Sequence, residues 1–415
     1  MPPSDRWYRS TVLDRALATS RTVATVGPVA GLDVDRARAV LAAAEAHPRA
    51  RLALQPSPSD RKWASGNGVG ERVLSRDDLP TADLGALLTM VRHQPGPQRP
   101  LDALIAGDHV VVDYSHGIGD GQLGVALLSA LSGEFDEARS GSLAQGLPSG
   151  ATRRAASRHF RAHPGAMRDI ARLRAENKPD AGDRPTRSIE GWQAHNRSLT
   201  AYLPPATVAD VRSWVKANAP GATTASVTVA LWRAALRAAG ARIGDRFMVL
   251  MNCRRYLAPE FQQSQGNFAV AMPMRLPWSA SPAEIAALVR RVYDSGWPLV
   301  VLLMAEAKSL IGRGETGLSP TTYDASGQIR LSVSDLGRLS TFDHVTWAPG
   351  ERPPQLAAYL EPDGPDAVTL LISELAGGRT FTATFCSAVV EPDLVDAALT
   401  RMCSDPLATL LTAKH

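Results

Sequence analysis

The chain has 415 residues, 44% of them hydrophobic and 21% charged, enough apolar material for sizeable cores and, by length, for two to three domains. Its formal charge of +4 and pI near 9.1 form too mild a basic balance to argue for nucleic acid. The start, Met1-Pro2-Pro3-Ser4-Asp5-Arg6-Trp7, lacks the apolar core of a signal peptide, and the longest apolar run, Leu299 to Ala305, is far short of the roughly 20 residues of a membrane span, so a soluble, cytoplasmic protein is expected. Arg21 to Val29 reads as a strand. Asp33 precedes a helix through Ala46, with Val34, Ala37, Val40, Leu41 and Ala44 on one side. His47-Pro48 ends it, because proline pushes the preceding residue out of the helical region. Arg51 to Leu54 begins a second strand, and residues 56 to 80 read as loops with short strand pieces. Leu84 to Val91 reads as a helix. Leu101 to Ala106 and Asp108 to Tyr114 read as strands joined by a turn at Gly107-Asp108.

The stretch from Asp108 to Gly133 carries the chemistry. Val110, Val111 and Val112 suit a buried strand, and Gly117, Gly119 and Gly121 loosen the turn after it. Leu123, Leu127, Leu128 and Leu131 then recur at helical spacing, with Gly133 as a stop. His116 therefore stands at the open end of a strand and Asp120 at the mouth of a helix. A histidine, with an unperturbed pKa of about 6.5, can act as a general base near neutral pH. Asp120 can equally be an N-cap, and His116 an ordinary turn residue. Strand–turn–helix grammar leaves both readings open.

From Ala151 to Ala175 the charged residues are Arg153, Arg154, Arg158, Arg161, Arg168, Arg172 and Arg174 against Asp169. This is either a solvated, partly helical linker or a docking surface for an anionic partner. A boundary is read at Asp180 to Pro185, dividing the chain into lobes at 1–185 and 186–415. The second part restarts the grammar. Arg197 to Leu203 reads as a strand, and Pro204-Pro205 opens a helix carrying Val208, Val211, Trp214 and Val215. Ala225 to Ala239 is an apolar helix, and Arg246 to Asn252 and Asn267 to Arg275 are strands. Ser281-Pro282-Ala283-Glu284 is a capping box opening a helix through Tyr293, and Pro298 to Ile311 is another helix. Ile329 to Val333 is a strand, Val368 to Glu374 and Thr380 to Ser387 form a hairpin around Gly377-Gly378, and Pro392 to Met402 is a terminal helix. The alternation suits an α/β (α+β) fold, each lobe a mixed sheet covered by helices.

His116-Gly117-Ile118-Gly119-Asp120-Gly121 resembles the HxxxDG signature of the condensation-domain and CoA-dependent acyltransferase superfamily. Many members carry two adjacent histidines; here the first position is Ser115, as in single-histidine branches. His47, Pro48, Arg51 and Leu54 resemble an early step of such proteins. Met251 to Leu257, followed by Gly266-Asn267-Phe268, resembles their arginine-bearing segment. Val333 to Gly337 resembles the "Ser-Asn-x-Gly" segment of the wax-synthase branch, with Asp335 where relatives often have Asn. The resemblance implies a stand-alone acyltransferase built as two chloramphenicol-acetyltransferase-like lobes around a central tunnel. It implies His116 and Asp120 as catalytic residues, supported by Gly121 and by Arg254, which would pair with Asp120, Arg255 being the second choice. Tyr114, Asn267 and Ser334 would bind substrate, Ser334 donating to a developing oxyanion.

The donor implied is a thioester, acyl-CoA or a phosphopantetheinyl carrier protein, with the arginine-rich stretch as a docking surface for the phosphates of coenzyme A or for an acidic carrier protein. The acceptor is a hydroxyl or amine of a small molecule in lipid or secondary metabolism. No bound cofactor is implied, and no acyl-enzyme is needed when a tunnel brings both substrates to one base. The competing reading is a non-catalytic condensation-like module that recruits a carrier protein or another partner. Cys253, Cys386 and Cys403 make neither a disulfide framework nor a zinc pattern. His159, His163, His195, His344 and His415 make no metal spacing, and neither a Gly-x-Ser-x-Gly elbow nor a Gly-x-x-x-x-Gly-Lys loop occurs.

Overall fold

Apolar runs flanked by capping residues and prolines set the order of elements. The computed structural model describes residues 7–47, 50–66, 68–96, 98–178, 186–310 and 320–412. Met1 to Arg6, Pro48, the boundary read at Asp180 to Pro185, Ile311 and His415 lie outside the described residues. The first half forms β1 (Trp7–Arg9), α1 (Val12–Ala16), β2 (Arg21–Gly27), α2 (Val34–Ala46), β3 (Lys62–Ala64), β4 (Val73–Ser75) and α3 (Leu84–Arg92). It continues with β5 (Leu101–Ala106), β6 (His109–Ser115), α4 (Gly121–Ser132), α5 (Glu137–Ser142), α6 (Ala151–Ala162) and α7 (Ala166–Glu176). The second half forms β7 (Thr186–Ser188), β8 (Asn196–Leu203), α8 (Pro205–Asn218), α9 (Thr224–Ala238), β9 (Arg242–Asn252), β10 (Ala269–Arg275), α10 (Pro282–Ser295) and α11 (Trp297–Leu310). It ends with β11 (Thr322–Asp324), β12 (Gln328–Arg338), β13 (Gln355–Leu360), β14 (Ala367–Leu375), β15 (Gly378–Cys386), α12 (Pro392–Ser404) and α13 (Pro406–Thr412). The caps act as their chemistry requires. Asp33 accepts from the Arg36 N–H, Asp83 from the Ala86 N–H, and Ser281 with Glu284 closes a capping box.

A five-stranded sheet runs β13-β2-β6-β5-β4, antiparallel except for β4 with β5. Side chains alternate across it. Val110, Val112 and Tyr114 of β6 pack with α2 and α4, while Val111 packs with α3 on the other face. The valine run is unbroken because both faces are covered. A six-stranded sheet runs β10-β9-β12-β14-β15-β8, with β12 parallel to both its neighbours. Its core includes Trp232, Phe247, Phe381 and Phe385. The fold is mixed α/β in two lobes.

Two segments cross between the halves of the chain. α6 and α7 bury Ala155, Ala156, Ile170 and Leu173 in the core of the six-stranded sheet. β13 pairs with β2 at the edge of the five-stranded sheet, Tyr359 opposite Val23. The arginine-rich stretch is therefore two helices with a buried apolar side, not a solvated linker. Arg51 to Leu54 is not a strand; only Leu54 pairs, in an isolated bridge with Ser65. Leu52, Ala53 and Leu54 are buried by side-chain packing instead. β13 and α13 have no counterpart in the sequence reading. Cys253, Cys386 and Cys403 are free thiols.

Candidate active site

β6 delivers His116 to the junction of the lobes. The strand ends at Ser115, whose buried hydroxyl donates to the Ala18 carbonyl at 2.8 Å and accepts from the Gly117 N–H at 3.2 Å. This cap bends His116–Ile118 into a single 3₁₀ turn. The His116 N–H donates to the Ser20 carbonyl at 2.8 Å, tying the turn to the segment before β2. Ser115, in the place of the first histidine of many condensation-type proteins, thus shapes the turn.

The glycines of the turn differ in what they meet. A Cβ on Gly117 would come within 2.9 Å of Ala18 Cα and 3.0 Å of the Asp14 carbonyl oxygen. A Cβ on Gly121 would meet only Leu336 Cδ2, at 3.6 Å, an ordinary contact. The close approaches that leave no room for a side chain are therefore at Gly117 and at Gly119, whose Cβ would come within 2.8 Å of Leu123 Cβ, whereas Gly121 is the first residue of α4. Gly121→Ala is expected to leave thermal stability within about 1 kcal/mol of wild type, the scale of a Gly–Ala helix difference. Gly117→Ala is expected to lower it by about 1–3 kcal/mol, as overpacking against backbone does. Thermal unfolding of the two variants checks the order.

Asn267 fixes the histidine. Its amide nitrogen lies 2.9 Å from the His116 carbonyl, 3.1 Å from the Gly117 carbonyl and 3.0 Å from Asp14 Oδ1. All three are acceptors, so this end of the side chain is the NH₂ and Oδ1 faces His116 Nδ1 at 3.2 Å. An amide oxygen only accepts, so Nδ1 is the donor, and in the neutral ring the lone pair is on Nε2. His116 is half-buried.

Asp120 is clamped from the other lobe. It is the N-cap of α4, accepting from the Gln122 N–H at 3.2 Å. Arg254 Nη1 donates to its Oδ2 at 2.8 Å and Nη2 to its Oδ1 at 3.0 Å, a bidentate pair. The Phe268 N–H adds a bond to Oδ2 at 3.0 Å. Arg254 spends its remaining donors on the Ser264 carbonyl at 2.7 Å, the Gly266 carbonyl at 2.6 Å and Asn252 Oδ1 at 3.4 Å. Burial pushes the Asp120 carboxyl up, but the Arg254 guanidinium and these hydrogen bonds outweigh it and hold the group below its ordinary value. Arg255 stacks on the Tyr293 ring at 4.2 Å instead, so the pairing arginine is Arg254.

A second buried pair, which the sequence reading did not find, backs the same turn. Arg51 donates to Asp14 Oδ1 at 2.8 Å, to the Gly117 carbonyl at 3.2 Å and to the Ile118 carbonyl at 2.7 Å. Tyr8 donates to Asp14 Oδ2 at 2.8 Å and accepts from Arg51 Nη1. Burial raises the Asp14 carboxyl and Arg51 overrides it, with a net lowering, so Asp14 is the ionised acceptor that orients Asn267. The one local signal was Thr11-x-x-Asp14, a capping box that the structure uses to open α1.

Tyr114 and Ser334, both read as substrate-binding, differ in their surroundings. Tyr114 has no exposed surface, and its hydroxyl donates to the Asp120 carbonyl at 3.1 Å. It supports the turn from within the core. Ser334 is opposite Leu371 in the register of β12 and β14, and Leu371 belongs to the first lobe's core, so Ser334 faces that lobe. Its hydroxyl has no hydrogen-bond partner among the described residues, and no bond links it to His116. Asp335 points the other way, accepting from Arg379 at 3.0 Å and from the Gly337 N–H at 2.8 Å. Burial pushes the Cys253 thiol, next to Arg254, up to about 12, which leaves it unreactive at neutral pH. Among the described residues no group of three or more His, Cys, Asp or Glu side chains is placed to hold a metal ion. No described helix is long and apolar enough to cross a membrane.

No family model and no curated protein sequence matches the chain. Solved structures do. TRI3 trichothecene 15-O-acetyltransferase from Fusarium sporotrichioides superposes with a TM-score of 0.62 at 12% identity, covering 100% of this chain and 99% of that one. The epimerization domain from the third module of tyrocidine synthetase B gives 0.56 at 15% identity over 97% of this chain and 94% of its own. Polyketide synthase associated protein 5 from Mycobacterium tuberculosis gives 0.54 at 15% identity over 96% and 99%. The chain has the condensation-type, chloramphenicol-acetyltransferase-like fold, and at these identities the likeness is one of fold.

Proposed function

We propose that the protein is an acyltransferase that moves an acyl group from a thioester, on coenzyme A or a phosphopantetheinyl carrier protein, to a hydroxyl or amine of a small acceptor. The observation that supports this most directly is the bond to Asn267, which makes Nδ1 of His116 the donor, so that the neutral ring presents Nε2 as the base. The acceptor oxygen or nitrogen attacks the thioester carbonyl carbon while Nε2 takes its proton. The carbon–sulfur bond then breaks, and the departing thiolate takes that proton back. His116 is thus restored and no covalent enzyme intermediate forms. Asp120 holds the turn through Arg254 and does not touch the reacting atoms in this scheme. Ser334, with a hydroxyl free of other bonds, is the proposed donor to the oxyanion. An opening between the lobes would bring donor and acceptor to His116 from opposite sides.

The test is incubation with acyl-CoAs and pantetheine thioesters against a panel of alcohols and amines, following free thiol and product mass. Acceptor-dependent thiol release that His116→Ala removes supports the proposal. Absence of turnover together with salt-sensitive binding of an acyl carrier protein supports the second reading, a module that recruits such a partner. The observation behind that reading is α6. Arg154 and Arg161 line a surface concavity there with Arg153 and Arg158. Arg158 is committed to the Tyr256 carbonyl and Arg153 lies 3.9 Å from Glu306.

If α6 meets the anionic part of the donor, the double variant Arg154→Ser, Arg161→Ser raises the apparent KM for that donor about three- to tenfold at low salt, with kcat unchanged. The difference shrinks as salt screens exposed charges. A short pantetheine thioester without nucleotide or carrier should not register the change. Equal loss with both donors would make α6 architectural.

A further inference from the structure

Away from His116, α8 and α9 leave between them and β15 a cavity of about 440 Å³. That lies in the range of small-molecule sites. Its wall is apolar, formed by Val208, Val211, Val227, Leu231 and Phe381. Charged side chains line it as well. Lys216 and Arg212 stand one turn apart on the exposed side of α8. Arg212 Nη2 donates to both oxygens of buried Glu374, each at 2.6 Å. Glu374 Oε2 in turn lies 3.7 Å from Nε of Arg379, which lines the cavity and is 4% exposed.

Arg379 donates to Asp335 at 3.0 Å and to Thr228, but its buried Nε–H has no hydrogen-bond partner. Buried donors are normally satisfied. Lys216 has no ion-pair partner among the described residues. Three cations, Lys216, Arg212 and Arg379, thus line an apolar chamber against two carboxylates, and the one Arg379 N–H without a hydrogen bond has only the Glu374 carboxylate, 3.7 Å away. The complement is an apolar chain with a single negative head.

We propose that this cavity binds a medium-chain monocarboxylate, its tail between Val211, Val227 and Phe381 and its carboxylate against Lys216, Arg212 and Arg379. A neutral head would leave the cationic excess unanswered, and a cationic head would be repelled. None of the cavity residues is a partner of His116 or Asp120, so the proposal does not depend on the acyl-transfer reading.

The experiment is equilibrium titration of the full chain with decanoate, decanol and decyltrimethylammonium. Decanoate is expected to bind at one site about tenfold or more tightly than decanol, the difference of one charge-assisted contact, and the ammonium not to bind. Lys216→Glu, a substitution at an exposed position, should weaken decanoate about tenfold and leave decanol unchanged. Val211→Phe, which fills the chamber, should abolish binding of both. Absence of decanoate binding, equal affinity for decanoate and decanol, or a Lys216→Glu variant that binds decanoate like wild type overturns the proposal. The Lys216 arm keeps the test decisive if the core variant does not fold.

Discussion

His116→Ala is expected to lower turnover with a thioester donor by about 10²–10⁴-fold, the weight of a positioned general base, with unchanged thermal stability. The stability half follows from the bonds. The turn is held by the backbone N–H and carbonyl of His116, by Ser115, Arg51 and Asn267, and only one of these bonds uses the imidazole. Asn267→Ala should fall between His116→Ala and wild type. It frees the imidazole to take either tautomer, while the base remains present. Its rate should be lowered across the whole pH range, because the orienting bond is lost and the base is not. If His116→Ala stays within a few-fold of wild type with every donor and acceptor pair, the base is another group or the protein is not an enzyme.

What could be read from the sequence was what is local. The β6–turn–α4 unit is spelled by three valines, a glycine-loosened turn and leucines at helical spacing, each enforcing its conformation within a few residues. Asp33, Asp83 and Ser281 cap helices whose starts need nothing distant. Arg254 was legible through the resemblance, because a strand end carrying two arginines before Gly266-Asn267-Phe268 is unusual enough to be matched. The rest depends on contacts that no local pattern encodes. Asp14 meets Asn267 across 253 positions and Arg51 across 37. β13 reaches its place by pairing with β2, more than 300 residues earlier in the chain, as Leu360 opposite Thr22 shows. Arg51 to Leu54 has the composition of a strand, but its arginine turns inward to hold carbonyls of the histidine turn. The support that Tyr114 gives the turn was hidden for the same reason: its partner is a backbone oxygen six residues on, visible only once the turn is folded.

Asp120→Asn should cost stability as well as activity. Arg254 is 2% exposed and its charge is answered by Asp120, so the substitution leaves a buried guanidinium without its carboxylate. Breaking one side of such a pair costs about 3–5 kcal/mol, far more than the hydrogen bonds that an amide can still accept would return. The cost should reach the union of the lobes, because Arg254 leaves β9 of the second lobe and binds the cap of α4 in the first. The double variant Asp120→Asn, Arg254→Met removes the stranded charge and should recover a large part of the loss, a coupling that a cycle of the four proteins measures. Acid supplies an independent check. The Asp120 carboxyl is held below its unfolded value, so its contribution is complete above about pH 4 and is lost as pH falls through the folded value. The stability gap between wild type and Asp120→Asn should therefore be constant from neutrality to about pH 5 and narrow below pH 4. A gap that stays constant to low pH would mean that the ionised carboxylate is not what holds Arg254. Loss of activity at an unchanged melting temperature would instead place Asp120 among the groups that act on the substrate directly.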